Sequence, residues 1–121
     1  MTLLRKVAAL LLLTLIIGGC NPARMENLIA DLEGTWHGVT LLGLTLDMRI
    51  YQNGSTTCNY GSYYFTGQAS LYGTDFELTS IDIDMSGTYT AESERLDGYL
   101  DDNRDPDQPV EDQFTAFRVT E

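Results

Sequence analysis

From residue 34 onward the apolar positions recur at every second residue. Leu44, Leu46, Met48 and Ile50 alternate with Thr45, Asp47, Arg49 and Tyr51, the pattern of a strand buried on one face and wet on the other. Asn53-Gly54 follows at once, a dipeptide suited to a tight hairpin turn. Residues 55–66 are dense in threonine and tyrosine and are broken by Gly61. Phe76 and Leu78 then alternate with Asp75, Glu77 and Thr79, and Ile81, Ile83 and Met85 with Asp82 and Asp84. The apolar parity flips between Leu78 and Ile81, which predicts a bulge or tight turn at Thr79-Ser80. Residues 87–91 and 95–100 make a further pair, and residues 113–120 a last strand. Seven or eight short strands without a long helix predict an all-β domain over residues 34–121, an antiparallel up-and-down barrel or a sandwich.

Upstream the period changes. Met25, Leu28, Ile29 and Leu32 recur at helical spacing, with Glu26, Asn27, Asp31 and Glu33 opposite them. A short helix stopped by Gly34 is expected, with residues 20–33 forming a tether and that helix. At the start of the chain, Arg5 and Lys6 precede a run from Val7 to Ile17 that is apolar except for Thr14. The run is shorter than the roughly 20 residues a membrane-crossing helix needs. A charged start, a short apolar stretch and a small-residue exit predict a cleaved secretory signal over residues 1–19.

The exit, Ile17-Gly18-Gly19-Cys20, resembles the bacterial lipobox. The resemblance implies that Cys20 becomes the first residue after cleavage and carries diacylglycerol and an N-acyl chain. Two or more acyl chains give stable membrane anchoring, which a single chain does not. Asn21 is not the aspartate that favours inner-membrane retention. In a cell with two membranes, the periplasmic face of the outer membrane is the expected location.

Losing residues 1–19 removes the sole lysine and Arg5, and leaves five arginines facing eighteen acids, a formal charge of −13. Such a surface repels nucleic acid and anionic headgroups. With Cys20 committed to lipid, Cys58 has no partner in the chain. A buried thiol behaving as a small hydrophobe is the expected state.

Candidate chemistry is sparse. His37 is the only histidine, and no catalytic triad or zinc-spaced cluster can be built around it. Asp82 and Asp84 share a strand face, as solvated strand acids do. Asp101, Asn103, Asp105 and Asp107 place oxygen ligands at alternate positions, and Asp112 falls twelfth, which outlines a calcium loop. Pro106 stands where such a loop needs glycine, so a solvated acidic loop is the competing reading. Tyr60, Tyr63, Tyr64, Phe65 and Tyr72 fall within thirteen residues. Aromatics with polar tips suit a ligand-facing wall, and also ordinary strand packing.

Gly34-Thr35-Trp36, opening the first strand directly after a short helix, resembles the glycine-x-tryptophan signature of the calycins, the lipocalin and fatty-acid-binding group. The resemblance implies a barrel closed at one end by Trp36, with Arg118 on the last strand packed over its ring. Both roles are structural. The functional expectation is a non-enzymatic, lipid-anchored envelope lipoprotein that binds a small apolar ligand along its aromatic wall. The alternative is a protein-interaction module, such as a hydrolase inhibitor or an accessory subunit of an envelope assembly.

Overall fold

Alternation becomes eight strands in the computed structural model, which describes residues 26–120. The expected signal segment, residues 1–19, and Cys20 lie outside the described residues. The strands are β1 Gly34–Thr40, β2 Thr45–Ile50, β3 Ser55–Tyr60, β4 Tyr63–Tyr72, β5 Asp75–Ser80, β6 Ile83–Thr90, β7 Arg95–Asp102 and β8 Val110–Arg118. Each pairs antiparallel with the next, and β8 returns to β1, so the sheet closes into a barrel rather than a sandwich. Closure sets Trp36 opposite Met48 on one side and Arg118 on the other. It also leaves no unpaired strand edge for another chain to extend.

The inward parity is apolar almost throughout. Trp36, Leu46, Ile50, Phe76, Leu78 and Leu96 are essentially inaccessible, and Met48, Phe65, Met85 and Phe114 pack among them. An eight-stranded barrel is just wide enough for side chains to fill, and here they do. On the facing strands β6 and β7, two of the inward glycines lack a side chain for a reason of space. A Cβ on Gly98 would sit 2.0 Å from the Ser86 carbonyl oxygen, and one on Gly87 would sit 2.1 Å from that of Asp97. Only glycine lets β6 and β7 approach so closely, as at a tight bend in a barrel wall.

Three local expectations change. The helix is a single 3-10 turn, Ile29–Leu32, with Ile29 and Leu32 buried. It begins late because Asn27 is tied to β4: its side-chain oxygen accepts from the Leu71 and Ile29 amides at 3.0 and 3.1 Å. The parity flip is resolved by a turn at residues 81–82, two residues later than expected, and it leaves Ile81 98% exposed at the tip. Leu44 precedes β2 and lies outside the core.

The two ends differ. At the helix end, Trp36 Nε1 donates to the Leu32 carbonyl at 2.9 Å, and the Arg118 guanidinium lies 4.8 Å from the centre of the Trp36 ring. Tyr89 meets the same ring edge-on. The opposite end carries the loops at residues 41–44, 61–62, 81–82 and 103–109. No helix among the described residues is long and apolar enough to cross a membrane.

Candidate functional site

The mouth at the loop end is built by polar residues on core-facing parity. Asp102 follows Leu96 and Leu100 on the inner face of β7, and Asp112 precedes Phe114 and Ala116 on β8; both carboxylates are buried. A buried carboxylate is costly unless hydrogen-bonded. Asp112 accepts from the Tyr60 hydroxyl at 2.7 Å and from the Gln113 and Leu42 amides at 2.8 and 3.1 Å. Burial pushes its carboxyl up, but the bonds from Tyr60, Thr40 and the two amides outweigh burial and hold it below the usual carboxylate range.

Asp102 is held by Arg104, whose Nε and Nη2 reach its two oxygens at 2.9 and 2.7 Å. That fork lowers the Asp102 carboxyl and folds the arginine back over the mouth. Its guanidinium lies 4.4 Å from the Tyr63 ring centre and 5.9 Å from that of Tyr60. Tyr63 stacks on Phe65 and donates its hydroxyl to Asp82 at 2.9 Å. The mouth is therefore stoppered by a lid of the chain's own residues.

This splits the expected aromatic wall. Tyr60, Tyr63 and Phe65 belong to the stopper and core, Tyr64 points outward, and Tyr72 lies at the far end of β4 beside Asn27. The five do not form one surface, because alternation and strand length send them to different faces and ends. The proposed calcium ligands are separated as well. Asp112 is turned inward to Tyr60, Asp101 points outward from β7, and Asn103, Asp105 and Asp107 lie on the exposed loop, where Asp105 accepts from the Asp107 amide. Among the described residues no three His, Cys, Asp or Glu side chains converge as metal ligands.

His37 sits on the outer face of β1, paired with Asp47 at 2.5 Å. Asp82 serves Tyr63, whereas Asp84 accepts from the Ser80 amide, so the two acids do not act as a pair. Cys58 is buried, and burial, aided by Asp47, pushes its thiol up to about 12.

The outer wall carries a feature the sequence reading missed. Where β1, β8 and β7 run side by side, an open groove of about 530 Å³ is lined by Val39, Leu41, Tyr99, Gln113 and Thr115, with the Gly98 backbone at its base. Val39, Leu41 and Tyr99 are 59%, 74% and 53% exposed on a face that alternation reserves for polar residues. Their outward parity was the available signal: Val39 and Tyr99 occupy the wet positions of their strands. No family model, curated protein or solved structure matches the chain.

Proposed function

We propose that this chain is a lipid-anchored envelope lipoprotein whose barrel acts as a protein-interaction module. The observation that carries this reading is the filled interior: a ligand-carrying barrel needs an open cavity of about 300 Å³ or more, whereas here Trp36, Phe76, Leu78 and their neighbours occupy the space and Arg104 stoppers the mouth. Binding is then left to the outer surface. The Trp36–Arg118 contact supports the resemblance to calycins as a fold arrangement, and it gives no reason to expect their ligands. Localisation at the membrane rests on the lipobox-like Ile17-Gly18-Gly19-Cys20.

Two measurements test the reading. Intact-mass analysis of the protein from its own cells is expected to find acyl groups on the mature chain and none after Cys20→Ser. A photo-crosslinking amino acid placed in turn at Tyr64, Ile81 and Tyr99 is expected to give a discrete protein adduct in those cells from at least one site. Native mass spectrometry that finds a stoichiometric small apolar molecule and no protein adduct would overturn it.

A further inference from the structure

We propose that the outer face of β6, β7, β8 and β1 docks a partner segment that combines aliphatic side chains with lysine or arginine. This deepens the protein-binding reading above and rests on it. The groove supplies the apolar half of the match, since Val39, Leu41 and Tyr99 stand exposed around a shallow floor made by Gly98.

The charged half lies one step further along the same strands. Asp84 is registered directly opposite Asp101, and Asp101 directly opposite Glu111. Three carboxylates thus form a row across three adjacent strands. Like charges directly opposite each other destabilise a sheet, and none of the three forms an ion pair among the described residues. Glu77 joins Asp84 and Asp101 around a second depression beside the row. Asp97, inside the groove, is treated differently: Arg95 reaches it at 2.6 Å and Thr115 donates to it at 2.8 Å. The groove acid is neutralised internally while the rim acids have no counter-charge among the described residues, Asp84 accepting only from the Ser80 amide, so an incoming cation meets the rim and an aliphatic chain meets the groove.

Charge also decides against the other occupants. A second copy of this chain would bring its own excess of carboxylates to the row, and an anionic membrane surface would be repelled. Strand addition is closed off as well, because every strand of the barrel is already paired on both sides, so recognition has to run through side chains.

The test uses the full mature chain in nonionic detergent micelles, with empty micelles as blank. The probe is a fluorescein-labelled peptide alternating lysine with leucine, read by fluorescence anisotropy against a lysine–serine and a glutamate–leucine peptide. Saturable binding of the lysine–leucine peptide alone is expected. The double variant Asp101→Asn/Glu111→Gln and the single variant Tyr99→Ala should each bind about tenfold more weakly; all three side chains point outward, so neither variant should melt below the wild type, and the double variant, relieved of like-charge repulsion, should melt at the same temperature or higher. Added salt should weaken the wild type more than the double variant. Equal binding of the lysine–serine peptide would reduce the effect to bulk charge and overturn the proposal. So would unchanged affinity in both variants, or sedimentation showing that the groove pairs two copies of the chain. If the groove fails while crosslinks from Tyr64 or Ile81 persist, the protein-binding reading stands without this site; if no position crosslinks, both fall.

Discussion

The guanidinium of Arg118 lies over the ring of Trp36, 4.8 Å from its centre. The same arginine donates to the carbonyls of Asp31 and Glu33 and pairs with Glu94. One side chain therefore joins the last strand, the first strand, the 3-10 turn and the β6–β7 loop across the seam where the barrel closes.

Replacing Arg118 by alanine should cost about 2–4 kcal/mol, from a lost cation–π contact and two backbone carbonyls left without their donor. Arg118→Lys should recover only part of this, because an ammonium keeps the charge but not the planar fork. Urea unfolding followed by fluorescence reads both, since Trp36 is the only tryptophan. Equal stability of the lysine variant and the wild type would remove the fork from the account.

Acid should weaken the loop end first. Asp112 has a folded-state affinity for protons below that of an unfolded aspartate, so its contribution to stability is complete above about pH 4 and is lost as pH falls through the folded value. Asp102, held low by Arg104, acts with the same sign. Tyr60→Phe should cost about 1–3 kcal/mol near neutrality by removing a donor to a buried carboxylate, and should flatten the acid limb of a stability–pH profile. A variant with the wild-type acid limb would show that Tyr60 does not hold Asp112.

The Cys58 thiol should be inert in the folded protein. At about 12 it carries almost no thiolate at neutral pH, and it is buried. Ellman's reagent at about pH 8 should label it only in denaturant. Because the folded chain keeps a proton that the unfolded thiol loses above about pH 8.5, the stability it carries is complete below that pH and declines as the solution becomes more alkaline. Rapid native labelling would contradict the packing around β3.

Gly98→Ala should be among the more damaging single changes, at about 3 kcal/mol or more, because the new methyl would meet the Ser86 carbonyl at 2.0 Å. Gly43→Ala provides the contrast: its Cβ would meet nothing, although its φ of +89° still strains the backbone. Thermal melts of the two variants should separate crowding from backbone strain.

Most strand positions were legible because burial on one face of a sheet imposes a period of two on local sequence. That rule assigns Leu46, Met48 and Ile50 to the interior, and it fails informatively where polar residues take inward parity or apolar ones take outward parity. Along the chain Asp112 is the twelfth position of an acidic stretch and Asp102 stands beside Asp101, yet their inward parity, continuing Leu96–Leu100 and preceding Phe114–Ala116, marks buried acids that need partners. Val39 and Tyr99 were passed over for the opposite reason: each is a single apolar residue on a wet face, and only strand neighbours reveal that they share a groove. The aromatic cluster of residues 60–72 misled because closeness in sequence along two strands is not closeness on one surface.

By itself the sequence determined that the domain is a meander of short strands, that Leu46, Met48, Ile50, Phe76 and Leu78 line its core, and how acidic its outer surface is, since each depends on local alternation and composition. Tertiary structure alone decided that the sheet closes between β1 and β8, that Tyr60 meets Asp112 fifty-two residues away, and that Asp84, Asp101 and Glu111 fall into one row. Those outcomes depend on register between strands, and register is set by the packing of the whole barrel rather than by any segment of it.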